Sequence, residues 1–217
     1  MDLSFALKSP RKRFLARLIL KKAKIIVCAN SRVQEILLNF LPGLKEKVVI
    51  LHPGATVGRA DDEIKAELKN RYHLAGKKII FSLGRLVKRK GFDRVIKSLE
   101  KVSAEPWLYL LAGDGSERES LHTLVAQSSL ADKVVLMGSL SEAEKWSCLD
   151  LCDIFITTSR DLDGDFEGFG IVYLEANLMA KPVIAGKSGG VADAVIKNHN
   201  SIVVNPQDTK VIAAAIK

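Results

Sequence analysis

Short apolar segments rich in valine and isoleucine recur along the chain, and stretches with helical spacing separate most of them. The apolar segments lie at residues 25–29, 48–51, 79–83, 108–111, 134–136, 154–157, 183–185 and 202–204. Each is an almost entirely apolar run, which is typical of strands buried on both faces of a parallel sheet. The helical stretches lie at residues 31–40, 92–102, 117–127, 141–149, 170–179 and 208–217. Because strands alternate with helices, the pattern predicts an α/β fold with a Rossmann-like parallel sheet of about six strands flanked by helices.

Two short motifs predict where helices begin. Ser31 is followed three residues later by Gln34, and Ser141 is followed in the same way by Glu144. In such a capping box the side chain of each residue satisfies a free backbone amide of the other. Helices are therefore expected to begin at these two serines.

The segment 52–58 has no periodicity and contains one proline and two glycines, so it is the best candidate for a linker. Upstream of it the pattern shows only two strands, too few for a parallel sheet that is covered on both faces. Residues 1–57 are therefore interpreted as a remnant of an N-terminal Rossmann-like domain with its linker. Residues 58–217 contain six predicted strands and are interpreted as a complete C-terminal nucleotide-binding domain.

Composition narrows the class of protein and of partner. Of the 217 residues, 47% are hydrophobic and 27% are charged, which is ordinary for a globular domain and excludes a disordered or collagen-like chain. No apolar run reaches the length of about 18 residues that a membrane-spanning helix needs. The basic start of the chain lacks a secretory cleavage site, so a cytoplasmic location is expected. Three cysteines without paired spacing are expected to be reduced thiols.

The net charge of +8 favours an anionic partner: nucleic acid, an anionic membrane surface or a phosphorylated small molecule. Residues 1–24 carry eight basic side chains against one acidic side chain, and an apolar face at residues 14–19 lies beside them. This combination is typical of a helix that lies on a membrane surface. Packing of the same face against further protein is the favoured interpretation, and peripheral contact at the inner membrane face is the alternative.

Two loops that follow predicted strands carry the candidate chemistry, because ligands of open parallel sheets bind beyond the carboxyl ends of the strands. The first loop begins with Gly84 and Arg85 and ends with Lys90 and Gly91. Its glycines allow close backbone approach and its cations could hold a diphosphate, with a solvated basic loop as the alternative. The second loop, 159–170, is glycine-rich and runs into a helix whose free amides would face an anion.

At these loops the sequence resembles a known family. Glu167 and Glu175 are separated by seven residues, and this pair occurs together with Gly84-Arg85 and Lys90-Gly91. The combination resembles retaining glycosyltransferases of the GT-B fold, family 4, of which this would be the C-terminal half. Further matching segments at 111–117, 135–138, 180–185 and 188–190 keep the family's order, so the resemblance covers roughly residues 24–217. The long loop before Glu167 most resembles the phosphatidylinositol mannosyltransferase branch.

The resemblance implies a role for each matching residue. Arg85 and Lys90 match cations that hold the donor diphosphate, and Glu167 matches a contact to the transferred sugar, so these three are the implied catalytic residues. Glu175 matches the carboxylate that binds the donor ribose. The other implied substrate-binding residues act largely through their backbone: Gly84, Met137, Gly138, Gly168, Phe169, Gly170 and Ile171.

The implied activity is transfer of a hexose, with retention, from a nucleoside-diphosphate sugar such as GDP-mannose or a UDP-sugar to a lipid or glycan acceptor. No metal or other cofactor is expected, and nucleic acid is not an expected partner. The family's acceptor site lies in its N-terminal domain, so a chain that carries only residues 1–57 of that domain is expected to be inactive alone. The alternative function is a non-catalytic nucleotide-binding or membrane-surface interaction module.

One loop keeps a metal site open as an alternative. Asp161, Asp163 and Asp165 form overlapping Asp-x-Asp pairs, which can hold a metal bound to a diphosphate. The loop lacks the glycine position and terminal glutamate of an EF-hand, so metal binding is the minor interpretation.

Overall fold

The structure, a computed structural model, describes residues 9–102, 106–196 and 199–217. Within these ranges helices and strands alternate without exception. The strands are β1 (Ile26–Cys28), β2 (Val48–Ile50), β3 (Lys78–Leu83), β4 (Trp107–Ala112), β5 (Val134–Gly138), β6 (Ile154–Thr157), β7 (Val183–Gly186) and β8 (Ser201–Val204). The helices are α1 (Pro10–Lys22), α2 (Ser31–Phe40), α3 (Asp62–Arg71), α4 (Phe92–Leu99), α5 (Arg118–Ala126), α6 (Glu142–Leu151), α7 (Ile171–Leu178), α8 (Val191–Ala194) and α9 (Thr209–Ile216). Short 3₁₀ turns occupy Pro42–Lys47 and Lys88–Lys90.

Six strands form one sheet in the order β5-β4-β3-β6-β7-β8, and every recorded pair in it is parallel. This arrangement confirms the predicted Rossmann-like sheet. The order reverses direction at β3, which pairs with β4 on one side and β6 on the other. In an open parallel sheet the crevice at such a reversal is where ligands bind. The remaining two strands, β1 and β2, pair in a separate parallel sheet.

The sheet is buried on both faces, as the apolar runs predict. One face contributes Phe81 and Phe155 to a core that also contains Tyr173 of α7, and the other face contributes Ile80 and Tyr109 to a second core. Phe155 packs edge-on against both Phe81 and Tyr173, with ring centroids 6.0 and 6.2 Å apart. These aromatic contacts fix α7, the helix that follows the glycine-rich loop, against the centre of the sheet.

Both predicted helix starts are confirmed, α2 at Ser31 and α6 directly after Ser141, but only one of the two predicted capping boxes is present. The reciprocal hydrogen bonds of Ser141 and Glu144 are present at the start of α6, which confirms that prediction. The box at Ser31 is wrong, because Asn30 is the N-cap of α2 and its Oδ1 accepts from the amide of Val33 at 2.7 Å. The Ser31 hydroxyl donates instead to Asp193 Oδ1, 2.9 Å away.

Residues 9–57 contain α1, β1, α2 and β2 around a small core of Cys28, Leu37, Leu41, Leu44 and Val48. Large apolar side chains at the ends of its two strands are exposed, with Ile25 and Leu51 each more than 60% accessible. Helix α1 has no buried residue. The first eight residues, which include the start of the predicted basic segment, lie outside the described ranges.

The described cysteines are free and buried. Burial raises the pKa of Cys148 and of Cys152 to about 12, so both thiols are protonated at neutral pH and act as core residues. Among the described residues, no helix combines the length and apolar character that crossing a bilayer requires.

Candidate functional site

A cleft of about 350 Å³ opens at the carboxyl ends of β3 and β6, beside the point where the strand order reverses. It is lined by Pro53, Leu83, Gly84, Lys90, Glu167, Phe169, Gly170, Ile171 and Val172. Six residues singled out from the sequence therefore meet in one place: Gly84, Lys90, Glu167, Phe169, Gly170 and Ile171.

The basic loop after β3 reaches this cleft because Gly91 allows it to lie directly on the loop after β6. Gly91 has a left-handed backbone with φ of 73°, and a Cβ there would lie 2.1 Å from the carbonyl oxygen of Thr158. The Thr158 hydroxyl donates to the carbonyl of Gly91 at 2.7 Å and ties the two loops together. Only glycine fits both the conformation and the space.

Glu167 is almost fully buried and accepts three donors on one oxygen. Lys90 Nζ lies 2.6 Å, Ser159 Oγ 2.9 Å and Arg89 Nη1 3.0 Å from Glu167 Oε2. Arg89 is itself buried, and its Nε lies 3.1 Å from Oδ1 of Asp165. Within the described part of the chain, Oε1 of Glu167 has no recorded hydrogen bond or ion pair.

The electrostatics of this cluster favour the ionised carboxylate. Burial alone would raise the pKa of Glu167, but the charges of Lys90 and Arg89 and the hydrogen bonds from Lys90 and Ser159 hold that pKa below its ordinary value. The cleft therefore contains a cation and an ionised carboxylate that are 2.6 Å apart.

Helix α7 begins at the cleft. Gly170 precedes it with a left-handed φ of 85°, and a Cβ at this position would lie 2.4 Å from the ring of Tyr173. The first amides of a helix have no acceptor within the helix and carry its positive dipole end. The cleft lining includes Gly170, Ile171 and Val172, so this positive end borders the same space as Lys90.

Glu175 lies one turn further along α7, outside the cleft lining. Its side chain is 15% exposed, and its Oε1 accepts from Lys145 Nζ of α6 at 2.7 Å. The ammonium group of Lys145 also contacts Glu142 and lies over the Trp146 ring. Glu175 is thus a largely buried, paired carboxylate rather than a solvated helix residue.

Besides Glu175, four predicted site residues lie outside the cleft lining: Arg85, Met137, Gly138 and Gly168. Arg85 is exposed and has no recorded ion pair with a described residue. Met137 and Gly138 end the edge strand β5, where the carbonyl of Gly138 accepts from the amide of Gly113 at 2.7 Å. Gly168 is exposed, and its carbonyl accepts from the side chain of Asn30.

Several residues around the cleft were missed by sequence reasoning. Arg89 lies inside the predicted basic loop between Gly84 and Gly91 without a signal of its own, although it is more deeply buried than its neighbours Lys88 and Lys90. His52 falls in the predicted linker, yet its ring stacks on Phe169 with centroids 5.3 Å apart. The side chain of Asn30 donates to the carbonyl of Gly168. Its position directly before a helical stretch indicates an N-cap but not this contact. Ser159 begins the predicted loop 159–170 but carries no signal of its own, because its hydroxyl reaches Glu167 only when the loop has folded.

The aspartate loop has partners within the protein. Asp165 pairs with Arg89, and Asp161 accepts from the hydroxyl of Ser188 at 2.6 Å. No group of three or more metal-ligating side chains is assembled among the described residues.

Comparison with known proteins identifies the family. Residues 64–217 match the family model described as "Glycosyl transferases group 1". The chain belongs to this family. A GDP-mannose-dependent alpha-(1-6)-phosphatidylinositol monomannoside mannosyltransferase of Mycobacterium tuberculosis is 33% identical over 172 residues, which are 76% of this chain and 45% of the relative. An alpha-D-kanosaminyltransferase of Streptomyces kanamyceticus is 30% identical over 161 residues, or 73% of this chain and 40% of the relative.

Solved structures with lower sequence identity to this chain share its fold. The Anabaena protein HepE, in complex with UDP and glucose, matches 96% of this chain with a TM-score of 0.82 at 22% identity. That match covers 57% of the HepE chain. The chain thus spans less than half the length of the two curated relatives and somewhat more than half of this structural neighbour.

The cluster around Glu167 predicts a pH-dependent contribution to stability. A carboxyl group whose pKa is lowered by folding stabilises the protein above its unfolded pKa, and this stabilisation is lost as the pH falls through the folded pKa. Glu167→Gln should therefore lower the free energy of unfolding at pH 7 by leaving Lys90 and Arg89 without their carboxylate. The difference from the wild type should shrink as the pH falls below the ordinary glutamate value of 4.5.

Urea unfolding at several pH values between 7 and about 3 measures this difference. Glu119→Gln, at an exposed position of α5, is the matched control and should follow the wild-type curve. Parallel wild-type and Glu167→Gln curves over the whole range would show that Glu167 is not held ionised by its neighbours.

Proposed function

We propose that this chain provides the donor-binding part of a retaining glycosyltransferase, which transfers a hexose from a nucleoside-diphosphate sugar to a lipid or glycan acceptor. The observation that carries the proposal is the meeting of Lys90, Glu167 and the start of α7 around one cleft. A diphosphate needs fixed positive charge, and a sugar needs a hydrogen-bond acceptor beside it. The cleft offers both within a few ångströms.

The positive groups suit the departure of a diphosphate. When the bond between the sugar and the diphosphate breaks, negative charge develops on the leaving oxygen. Lys90 and the free amides at the start of α7 can stabilise this charge, because both border the cleft. Arg85 follows Gly84 on the cleft wall, and its exposed side chain is available to reach the diphosphate.

The two glutamates are suited to opposite ends of the donor. Glu167 keeps Oε1 for a sugar hydroxyl, while Oε2 is held by protein donors. Glu175 is held by Lys145 through Oε1, which leaves Oε2 for a ribose hydroxyl. The nucleobase would then lie toward the backbone of Met137 and Gly138 at the end of β5, and Gly168, Phe169, Gly170 and Ile171 would enclose the sugar.

The relatives narrow the class of donor. One is described as GDP-mannose-dependent, and HepE was solved with UDP and glucose. For this chain we propose GDP-mannose or a UDP-hexose as donor, without a metal ion. Asp165 is paired with Arg89, and Asp161 accepts a hydrogen bond from Ser188, so two carboxylates of the aspartate loop already have partners within the protein, which supports the absence of a metal.

Acceptor binding is assigned to a second domain to which residues 9–57 contribute. The two-stranded sheet of this unit exposes Ile25, Val27, Val49 and Leu51, and two parallel strands cannot form a stable sheet by themselves. Further strands would cover these side chains and complete a Rossmann-like domain facing the cleft. The greater length of the relatives supports this arrangement.

Helix α1 suggests where a lipid acceptor would be met. It contains six lysines and arginines and no acidic residue. Arg13 and Arg17 lie over the ring of Phe40, while Phe14 and Ile19 are at least 60% exposed. We propose that this outer surface contacts the anionic face of a membrane, which on the cytoplasmic side attracts basic segments by about 1 kcal/mol per residue.

A non-catalytic nucleotide-binding module would show the same cleft and the same donor affinity. Catalysis separates the two functions, because slow release of free hexose from the donor requires the leaving group to be stabilised. A chain that binds donor but never cleaves it, even when joined to a complete acceptor domain, would favour the non-catalytic module.

The first prediction of this proposal concerns donor binding. The chain should bind GDP-mannose or UDP-glucose with a dissociation constant of roughly 10 µM to 1 mM, and EDTA should leave this value unchanged. Lys90→Met should weaken binding by about tenfold or more, because a hydrogen bond to a charged group is lost. Isothermal titration measures both effects.

Lys97→Met removes an exposed lysine of α4 and is the matched control, which should bind like the wild type. Thermal unfolding of each variant checks that it is folded. Absence of binding to any GDP-, UDP- or ADP-sugar, or binding that requires magnesium, would contradict the proposed function.

The second prediction concerns α1. The chain should float with vesicles that contain phosphatidylglycerol and stay behind with vesicles of phosphatidylcholine alone. Replacing Phe14 and Leu18 together by serine should abolish flotation, whereas Val211→Ser, at an exposed position of α9, should not. Flotation that is unaffected by the double replacement, or that never occurs, would leave α1 as a surface for protein packing.

A further inference from the structure

Glu167 is anchored through one oxygen, and one of its three anchors is also the cation proposed to bind the diphosphate. Lys90 lines the cleft. It contacts Glu167 Oε2, and Arg89 and Ser159 contact the same oxygen. Lys90 therefore has two competing partners once a donor is present. Arg89 and Ser159 do not line the cleft, so their contact with Glu167 does not depend on the donor.

A buried carboxylate that loses its cation raises the free energy of the folded protein. An ionised group without a charge partner is strongly destabilised in the interior, and it responds by taking up a proton or by moving toward solvent. Protonation would weaken the acceptor that Glu167 offers to the sugar, and movement would displace it. The site therefore needs a cation that stays with Glu167 when Lys90 turns to the diphosphate.

Arg89 meets this requirement by its own surroundings. Its side chain is 9% exposed, its Nε lies 3.1 Å from Asp165, and its carbonyl accepts from the amide of Arg160 at 2.8 Å. Arg160 is fixed in turn by two contacts to Asp93 of α4, at 3.0 and 3.2 Å. The position of Arg89 is thus set by the loop after β6, which α4 holds in turn, and not by the donor.

We propose that Arg89, assisted by Ser159, is a positioning residue that keeps Glu167 ionised and its Oε1 directed at the donor sugar after Lys90 has moved to the diphosphate. Lys90 contacts Glu167 in this structure, and donor binding exchanges this partner for the diphosphate. This assignment rests on the proposed function. It adds to it a residue that touches no substrate and acts through Glu167.

A double-mutant cycle on the 217-residue chain tests the assignment. For each variant, the dissociation constants of GDP and GDP-mannose, and of UDP and UDP-glucose, give the affinity ratio between nucleotide and sugar nucleotide. In Arg89→Met this ratio should shift against the sugar nucleotide by about tenfold, the equivalent of one hydrogen bond to a charged group. In the Glu167→Gln background the same replacement should change the ratio by less than about twofold.

The controls separate positioning from general stability. Arg71→Met removes an exposed guanidinium of α3 that pairs with Glu67, and it should leave the ratio unchanged. Arg89→Lys keeps the charge and should restore part of the ratio. If Arg89→Met does not fold, Ser159→Ala and Arg89→Lys replace it in the double-mutant cycle, and smaller shifts of the affinity ratio are expected.

Each outcome decides between the possibilities. If Arg89→Met shifts the affinity ratio equally in the wild-type and the Glu167→Gln backgrounds, Arg89 has a merely structural role. That result would overturn the assignment but not the proposed donor site. An unchanged ratio in Arg89→Met would do the same. A wild-type chain that binds none of the four probes would overturn the proposed function, and this assignment with it.

Discussion

A carboxylate buried between two loops has to be neutralised, and the arrangement of the cleft follows from this requirement at Glu167. The loop after β6 carries the carboxylate, and the loop after β3 carries Arg89 and Lys90, which neutralise it. The two loops meet because β3 and β6 are neighbours in the sheet and because Gly91 lets their backbones touch. The same ion cluster thus shapes the cleft and supplies the charges that the proposed donor would use.

The N-terminal unit is joined to the site at the same glycine-rich loop. Asn30 donates to the carbonyl of Gly168, the ring of His52 stacks on Phe169, and Ser31 bonds to Asp193 at the start of α8. These contacts brace the backbone proposed to enclose the sugar. A movement of residues 9–57 would therefore act directly on the donor loop, which gives a physical route between an acceptor side and a donor side.

The sheet could be predicted from the sequence because its strands are short, almost entirely apolar runs. Such runs are typical of strands that a parallel sheet buries on both faces. Helix α3 was missed, since its segment Asp62–Arg71 contains few apolar residues and only Leu68 is buried. The meeting of Gly84, Lys90 and Glu167 followed from their positions after β3 and β6. The burial of Arg89 could not be predicted, because it depends on Asp165 and Glu167, whose side chains meet it only after the loops have packed. Likewise, nothing in the pattern indicated that Lys145 would hold Glu175.

A crystal structure of this chain with GDP-mannose or UDP-glucose would show where the donor binds. We expect diphosphate oxygens within about 3 Å of Lys90 Nζ and of the first amides of α7, and a sugar hydroxyl at the same distance from Glu167 Oε1. Lys90 should have left Glu167, while Arg89 remains on Oε2. A diphosphate bound instead in the crevice beside Arg160 and Lys187, at the carboxyl ends of β7 and β8, would contradict the proposed donor site.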